Sequence, residues 1–211
     1  MRRFSRSRRK RPNLAEAEEF LRRGHGVNMA ASHYVSVEER RQRLAKLAQE
    51  VPALLRAELA KVRSLDLAVL KCHLLLEFML NQFIDLTAPT EGALGDARLS
   101  FKQKPAVAHA LGLPADPLFL PSLDLLNTIR NQVAHTLAPN RALIDKLVRI
   151  NSEEPDEVQN LTDAQRVAAL KQITRFCCAK MLGMIEGLHA VEMLDVAAEQ
   201  RASADGATRR R

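Results

Sequence analysis

Tryptophan is absent from this chain of 211 residues, tyrosine occurs once and phenylalanine seven times. So few aromatics, beside abundant Leu and Ala, disfavour a sheet protein and favour helices packed on helices. Cysteine is scarce as well. Cys72, Cys177 and Cys178 form an odd set within apolar stretches, with neither the paired spacing of a disulfide framework nor the Cys-x-x-Cys spacing of a zinc site. They read as small buried hydrophobes in a reducing compartment. The chain has no Gly-rich loop to cradle nucleotide phosphates, which argues against phosphoryl transfer from a nucleotide. It also lacks a long apolar run free of charge. The most apolar stretch, residues 65–86, contains Asp66, Lys71, His73, Glu77 and Asp85, and the first arginines are followed by Glu-rich sequence, not by an apolar export segment. The expectation is a cytoplasmic protein without a membrane partner.

What is present is charge, unevenly placed. The net charge is +7, of which residues 1–28 hold +6 and residues 205–211 hold +2, leaving −1 for residues 29–204. The body is nearly neutral and the basicity lives at the ends. Such an arginine block attracts RNA phosphates without sequence preference. Alternatively it lies ahead of a domain that starts at Met29. The division that follows is a basic, disordered segment over 1–35, a helical domain over 36–199 and a basic, disordered tail over 200–211.

Within the domain, Ser36 followed by Glu38 and Glu39 predicts a helix start and a helix to about Glu50. Pro52 fits the first turn of a separate helix over 52–63. Ser64 begins the longest apolar helix, to about Leu86, and Pro89, Gly92 and Gly95 mark a loop. A short helix over 104–111 has Pro105 in its first turn and stops at Gly112 and Pro114. Pro121 opens a helix to Leu137, ended by Pro139. Asn140 caps a helix to about Ile150, an acidic loop follows, and Thr162 starts a final helix to about Glu199. With no strand and no repeat, the fold class is an all-α bundle.

Two polar lines interrupt this packing pattern. At about 100° per residue, Leu125, Leu126, Ile129, Val133 and Leu137 share one arc, while Asp124, Asn127, Asn131 and His135 share the opposite one. Asn127, Asn131 and His135 stand at i, i+4 and i+8, where helix side chains meet. Arg130 lies about 100° from Asn131 and about 140° from His135, between the two faces. The second line is His73, Glu77 and Asn81, with the same spacing on the apolar helix. An ionisable row there must find partners or face water. The economical arrangement packs the two lines together, with Glu77 pairing Arg130 or orienting His135, and its plainest reading is an ion pair that fixes helix register. Lys102 and Lys104 read as a solvated face, His109 and His189 as structural positions. The His and carboxylate residues form no ligand set, so no metal and no cofactor is expected.

The hexapeptide Arg130-Asn131-Gln132-Val133-Ala134-His135 resembles the defining motif of the HEPN superfamily of small helical bundles: an Arg, often followed by Asn, and a His after four to six residues. The runs around Cys72 to Glu77, Leu99 to Lys104 and Ala108 to Leu113 are similar to a subgroup that includes relatives of the mannitol operon repressor and abortive-infection-type proteins. The likeness covers about residues 65–140. It implies a two-fold homodimer in which two motifs meet in one cleft, and for many members a metal-independent endoribonuclease activity as a toxin or antiviral effector. On this sequence it implies proton transfer by His135 at the ribose 2′-hydroxyl or the leaving 5′-oxygen. Arg130 then faces the phosphorane charge and Asn131 holds the phosphate or the His, with RNA as substrate and an antitoxin or effector protein as a further partner. The competing expectation is a non-catalytic regulator or interaction module that works through its dimer surface.

Overall fold

The structure, a computed structural model, describes residues 36–88, 90, 97–136 and 138–208. The basic segment 1–35, much of the loop after Thr87, and Leu137 lie outside the described residues. Helix α1 (Val37–Ala60) starts where the sequence predicts. The Ser36 side chain accepts from Glu39 N at 3.2 Å, and Glu39 Oε2 accepts from Ser36 N at 3.0 Å. Two of the orphan N–H groups of the first turn are thereby satisfied.

Pro52 does not break the chain as its sequence position suggests. The helix continues through it. Leu44, Leu47, Val51, Leu55 and Leu59 form one buried stripe on both sides of Pro52, so stopping the helix would strand half of that stripe. Pro52 itself is exposed, and the backbone carbonyl its ring leaves unbonded can turn to water.

Helix α2 (Leu65–Thr87) is the hub, packing on α1, α3 (Lys104–Ala110), α4 (Phe119–Thr136) and α6 (Asp163–Thr208). Phe83, Leu80 and Ala68 are fully excluded from solvent. By length and composition this helix could cross a bilayer, yet just over half of its most apolar window, 56%, is already buried in the bundle. The order is completed by α5 (Arg141–Ile150) and a 3-10 turn at Pro155–Glu157. Among the described residues there are six α-helices and no strand, so the fold is all-α, as the composition implies.

The caps at Asn140 and Thr162 also stand where they are expected. Asn140 Oδ1 accepts from Leu143 N at 3.2 Å, and Thr162 and Gln165 bond reciprocally, N to Oε1 at 2.8 Å and N to Oγ1 at 3.3 Å. Two boundaries differ. Helix α4 begins at Phe119, which puts Pro121 inside its first turn, where its missing N–H costs nothing. Helix α6 runs to Thr208, past the expected end at Glu199. Among the residues whose burial is described, its last buried apolar one is Ile185.

Charged residues lock helix to helix. Arg166, 8% exposed, donates from Nε and NH2 to the two Asp145 oxygens at 2.7 Å each and from NH1 to Asp163 at 3.1 Å, tying α5 to α6. The three cysteines are free and buried. Burial raises the Cys72 thiol to about 11 and the Cys177 thiol to about 12, out of the reactive range.

Asp116 ties the turn before α4 to α6. It pairs with Lys180 and accepts from the N–H groups of Leu118 and Phe119 at 2.8 Å each. Lys180 first, then those N–H groups, hold its carboxyl at about 2, against an ordinary value of 3.8. A depressed carboxyl stabilises the fold above its unfolded value, and that stability is lost as pH falls from about 4 towards about 2. We expect Asp116→Asn to lower Tm at pH 7 and to flatten the acid limb between about pH 4 and about pH 2. Thermal melts across that range test it, and an acid limb as steep as the wild type's would refute it.

Candidate functional site

Helix α4 presents the predicted amphipathic split. Leu126, Ile129 and Val133 are buried, joined by Leu123, while Leu125 is half-buried. Opposite them, Asp124, Asn131 and His135 are exposed and Asn127 is half-buried. The line therefore sinks into the bundle at Asn127 and rises to solvent at His135, in the last turn of the helix.

At its sunken end it meets α2. His73 Nε2 lies 3.3 Å from Asn127 Oδ1, the only orientation in which that nitrogen donates and the amide oxygen accepts. The imidazole is 3% exposed and tilts at 32° against the Phe101 ring, with centroids 4.2 Å apart. Burial pushes its pKa below 6.5; Asn127 and Glu77 oppose that shift, whereas Arg130 and Lys104 add to it. His73 is therefore a neutral, clamped ring that sets the side-chain position of Asn127.

The two polar lines do come together, but through a different pair from the one expected. Glu77 pairs with neither Arg130 nor His135. Its Oε1 accepts from Lys104 Nζ at 2.5 Å, and its Oε2 lies 4.0 Å from His73 Nδ1. Lys104, expected on a solvated face, is 8% exposed. The reason is the short helix α3. Ser100 and Gln103 bond to each other, N and Oγ to Oε1 at 2.9 and 2.8 Å. That turn places Phe101 and Lys104, three residues apart and therefore on one face, over His73 and Glu77. A half-buried carboxylate takes the nearest cation that the packing delivers, and α3 delivers Lys104. Asn81, one turn beyond Glu77, is exposed.

Arg130 bonds within its own helix. Its NH1 donates to Asn131 Oδ1 at 3.1 Å; the guanidinium is half-buried, its charge also bears on His73, and the exposed His135 stands one turn beyond Asn131. The resulting face carries a permanent cation with spare N–H donors, an amide and an exposed imidazole. The first suits a phosphate and the last is a side chain that can take up and give back a proton. Below it, the His73, Glu77 and Lys104 row fixes α2, α3 and α4 against one another. Phe101 and Lys104 are the residues that sequence reasoning missed. Their three-residue spacing was visible, but their partner helix was not. Among the described residues no group of three His, Cys, Asp or Glu is arranged to hold a metal ion.

Compared with known proteins, the chain matches no family model, no curated protein and no solved structure.

Proposed function

We propose that the face formed by Arg130, Asn131 and His135 is one half of a metal-independent endoribonuclease site of the HEPN type, completed by a second copy of the chain. The observation that supports this reading is the Arg130–Asn131 bond, which joins the guanidinium to an exposed amide one helical turn before the exposed His135. In the reaction, one His135 takes the proton of the ribose 2′-hydroxyl and the 2′-oxygen attacks phosphorus. The phosphorane charge falls on the Arg130 guanidinium, and the partner copy's imidazole protonates the departing 5′-oxygen. The products are a 2′,3′-cyclic phosphate and a free 5′-hydroxyl.

A single chain offers only one exposed imidazole on this face, and acid and base roles need two. Leu74 and Phe78 support the dimer. Each follows a member of the His73–Glu77 line on α2 by one residue, about 100° further round the helix, and they are 58% and 36% exposed. An apolar strip beside a polar line suits a two-fold, self-complementary contact. An antitoxin protein that covers this face fits the same reading.

The second reading, a non-catalytic regulator built on the same dimer, is favoured by one observation: the Lys104, Glu77, His73 and Asn127 row is satisfied internally, as a register-fixing network requires. Incubating the purified protein with RNA in EDTA separates the two. Cleavage is expected to persist, to leave cyclic-phosphate ends and to spare any site whose ribose is replaced by 2′-deoxyribose. A folded protein that leaves several RNAs intact would establish the regulator instead.

A further inference from the structure

A second site shares no residue with the face just described. Between α1, α2 and the distal half of α6 lies a cavity of about 190 Å³. Its floor is aliphatic: Leu44 from α1, Leu86 from α2, Leu111 from the turn after α3, and Ile185 from α6. Leu188 closes one side. Gly112 lies behind that side chain: its φ is +107°, and a Cβ added there would come within 3.2 Å of Leu188 Cδ1, so the leucine would have to give by a few tenths of an ångström.

The mouth is polar and under-satisfied. The His189 side chain is nine-tenths buried, at 10% exposure, and neither ring nitrogen has a hydrogen-bond partner. Its Nδ1 is 3.5 Å from Glu192 Oε2, close enough for charge but not for a bond. Arg40 is similarly poised. Its side chain is 15% exposed, and among the described residues only NH1 is engaged, reaching both Glu192 oxygens at a long 3.3 Å. A buried imidazole with no partner costs stability unless something supplies one, and a guanidinium has five donors to offer.

From this geometry we infer that the cavity binds a small aliphatic monocarboxylate, with its chain on the Leu and Ile floor and its carboxylate on Arg40 and His189. An acceptor-only head with two oxygens matches the unused Arg40 N–H groups and the unpartnered His189 ring, at a mouth that Glu192 also lines. An apolar body matches the floor, and few convergent polar groups above an apolar base are the usual make-up of a small-ligand site.

Sodium hexanoate and octanoate are the probes, titrated into the full chain by calorimetry and followed through the methyl NMR signals of Ile185 and Leu188. Saturable binding is expected, with those methyls shifting more than the methyls of Leu123 and Ile129. Arg40→Met and His189→Leu should each weaken octanoate at least tenfold while leaving RNA cleavage unchanged. Octanol, with the same body and no carboxylate, should bind at least tenfold more weakly than octanoate. No saturable shift at Ile185 and Leu188 in the wild-type protein would overturn the site, and this readout holds even if a variant fails to fold. Octanol binding as tightly as octanoate, or folded variants that bind octanoate unchanged, would overturn the carboxylate assignment.

Discussion

His135→Ala is expected to reduce EDTA-resistant RNA cleavage by about 10²–10⁴-fold, the range that a positioned acid or base contributes, with no loss of stability. The imidazole is exposed in the last turn of α4, so its removal leaves no cavity and no orphaned partner. Arg130→Ala should also be severe, because the guanidinium is the one permanent cation on that face, but it removes a bond to Asn131 as well. The histidine variant is therefore the cleaner test. Unfolding curves that coincide with those of the wild type, together with lost cleavage, place His135 in the chemistry. A parallel loss of stability and cleavage would return it to the structural network.

Lys104→Met carries the second large effect, on stability. Lys104 is held at 8% exposure against Glu77, and removing one member of a buried pair leaves the other charge with neither partner nor full hydration. Complete burial would cost about 3–5 kcal/mol. The Glu77 side chain keeps 30% exposure, which lowers the expected cost to about 2–3 kcal/mol, a fall in Tm of about 5–10 °C for a chain of this size. Adding Glu77→Gln should recover most of that loss, since the double variant buries no unpaired charge. Urea unfolding of the two single variants and the double variant supplies the cycle. A Lys104→Met protein as stable as the wild type would show that this pair does not hold α3 in place.

How much of this could be read from the sequence follows from the range of the interactions. The caps at Ser36, Asn140 and Thr162 are local: a side chain and a backbone N–H three residues apart decide them, and all three stand as expected. The buried arc of α4 is likewise set by helical period. Pro52 misled because a local rule, that proline interrupts a helix, met a non-local one, that Leu44 to Leu59 must all be buried against the same neighbours. Glu77 misled for a similar reason. The sequence shows that a carboxylate on an apolar helix needs a cation, but it does not show which cation is brought to it. That depends on the loop carrying Ser100 and Gln103, which folds Lys104 inward and leaves Arg130 to Asn131. His189 looked like an ordinary helix position, because its lack of a partner emerges only once α1, α2 and α6 are packed together.

The proposed site consists of two copies of the Arg130–Asn131–His135 face, and a mixing experiment tests that pairing directly. His135→Ala protein is equilibrated with wild type under subunit exchange, and RNA cleavage in EDTA is measured across the mixing series. If both imidazoles are needed in each dimer, an equal mixture retains about a quarter of the wild-type rate and the series follows the square of the wild-type fraction. A straight-line fall to about half would mean that each chain works alone, and an absence of cleavage at every ratio, pure wild type included, would contradict the nuclease itself.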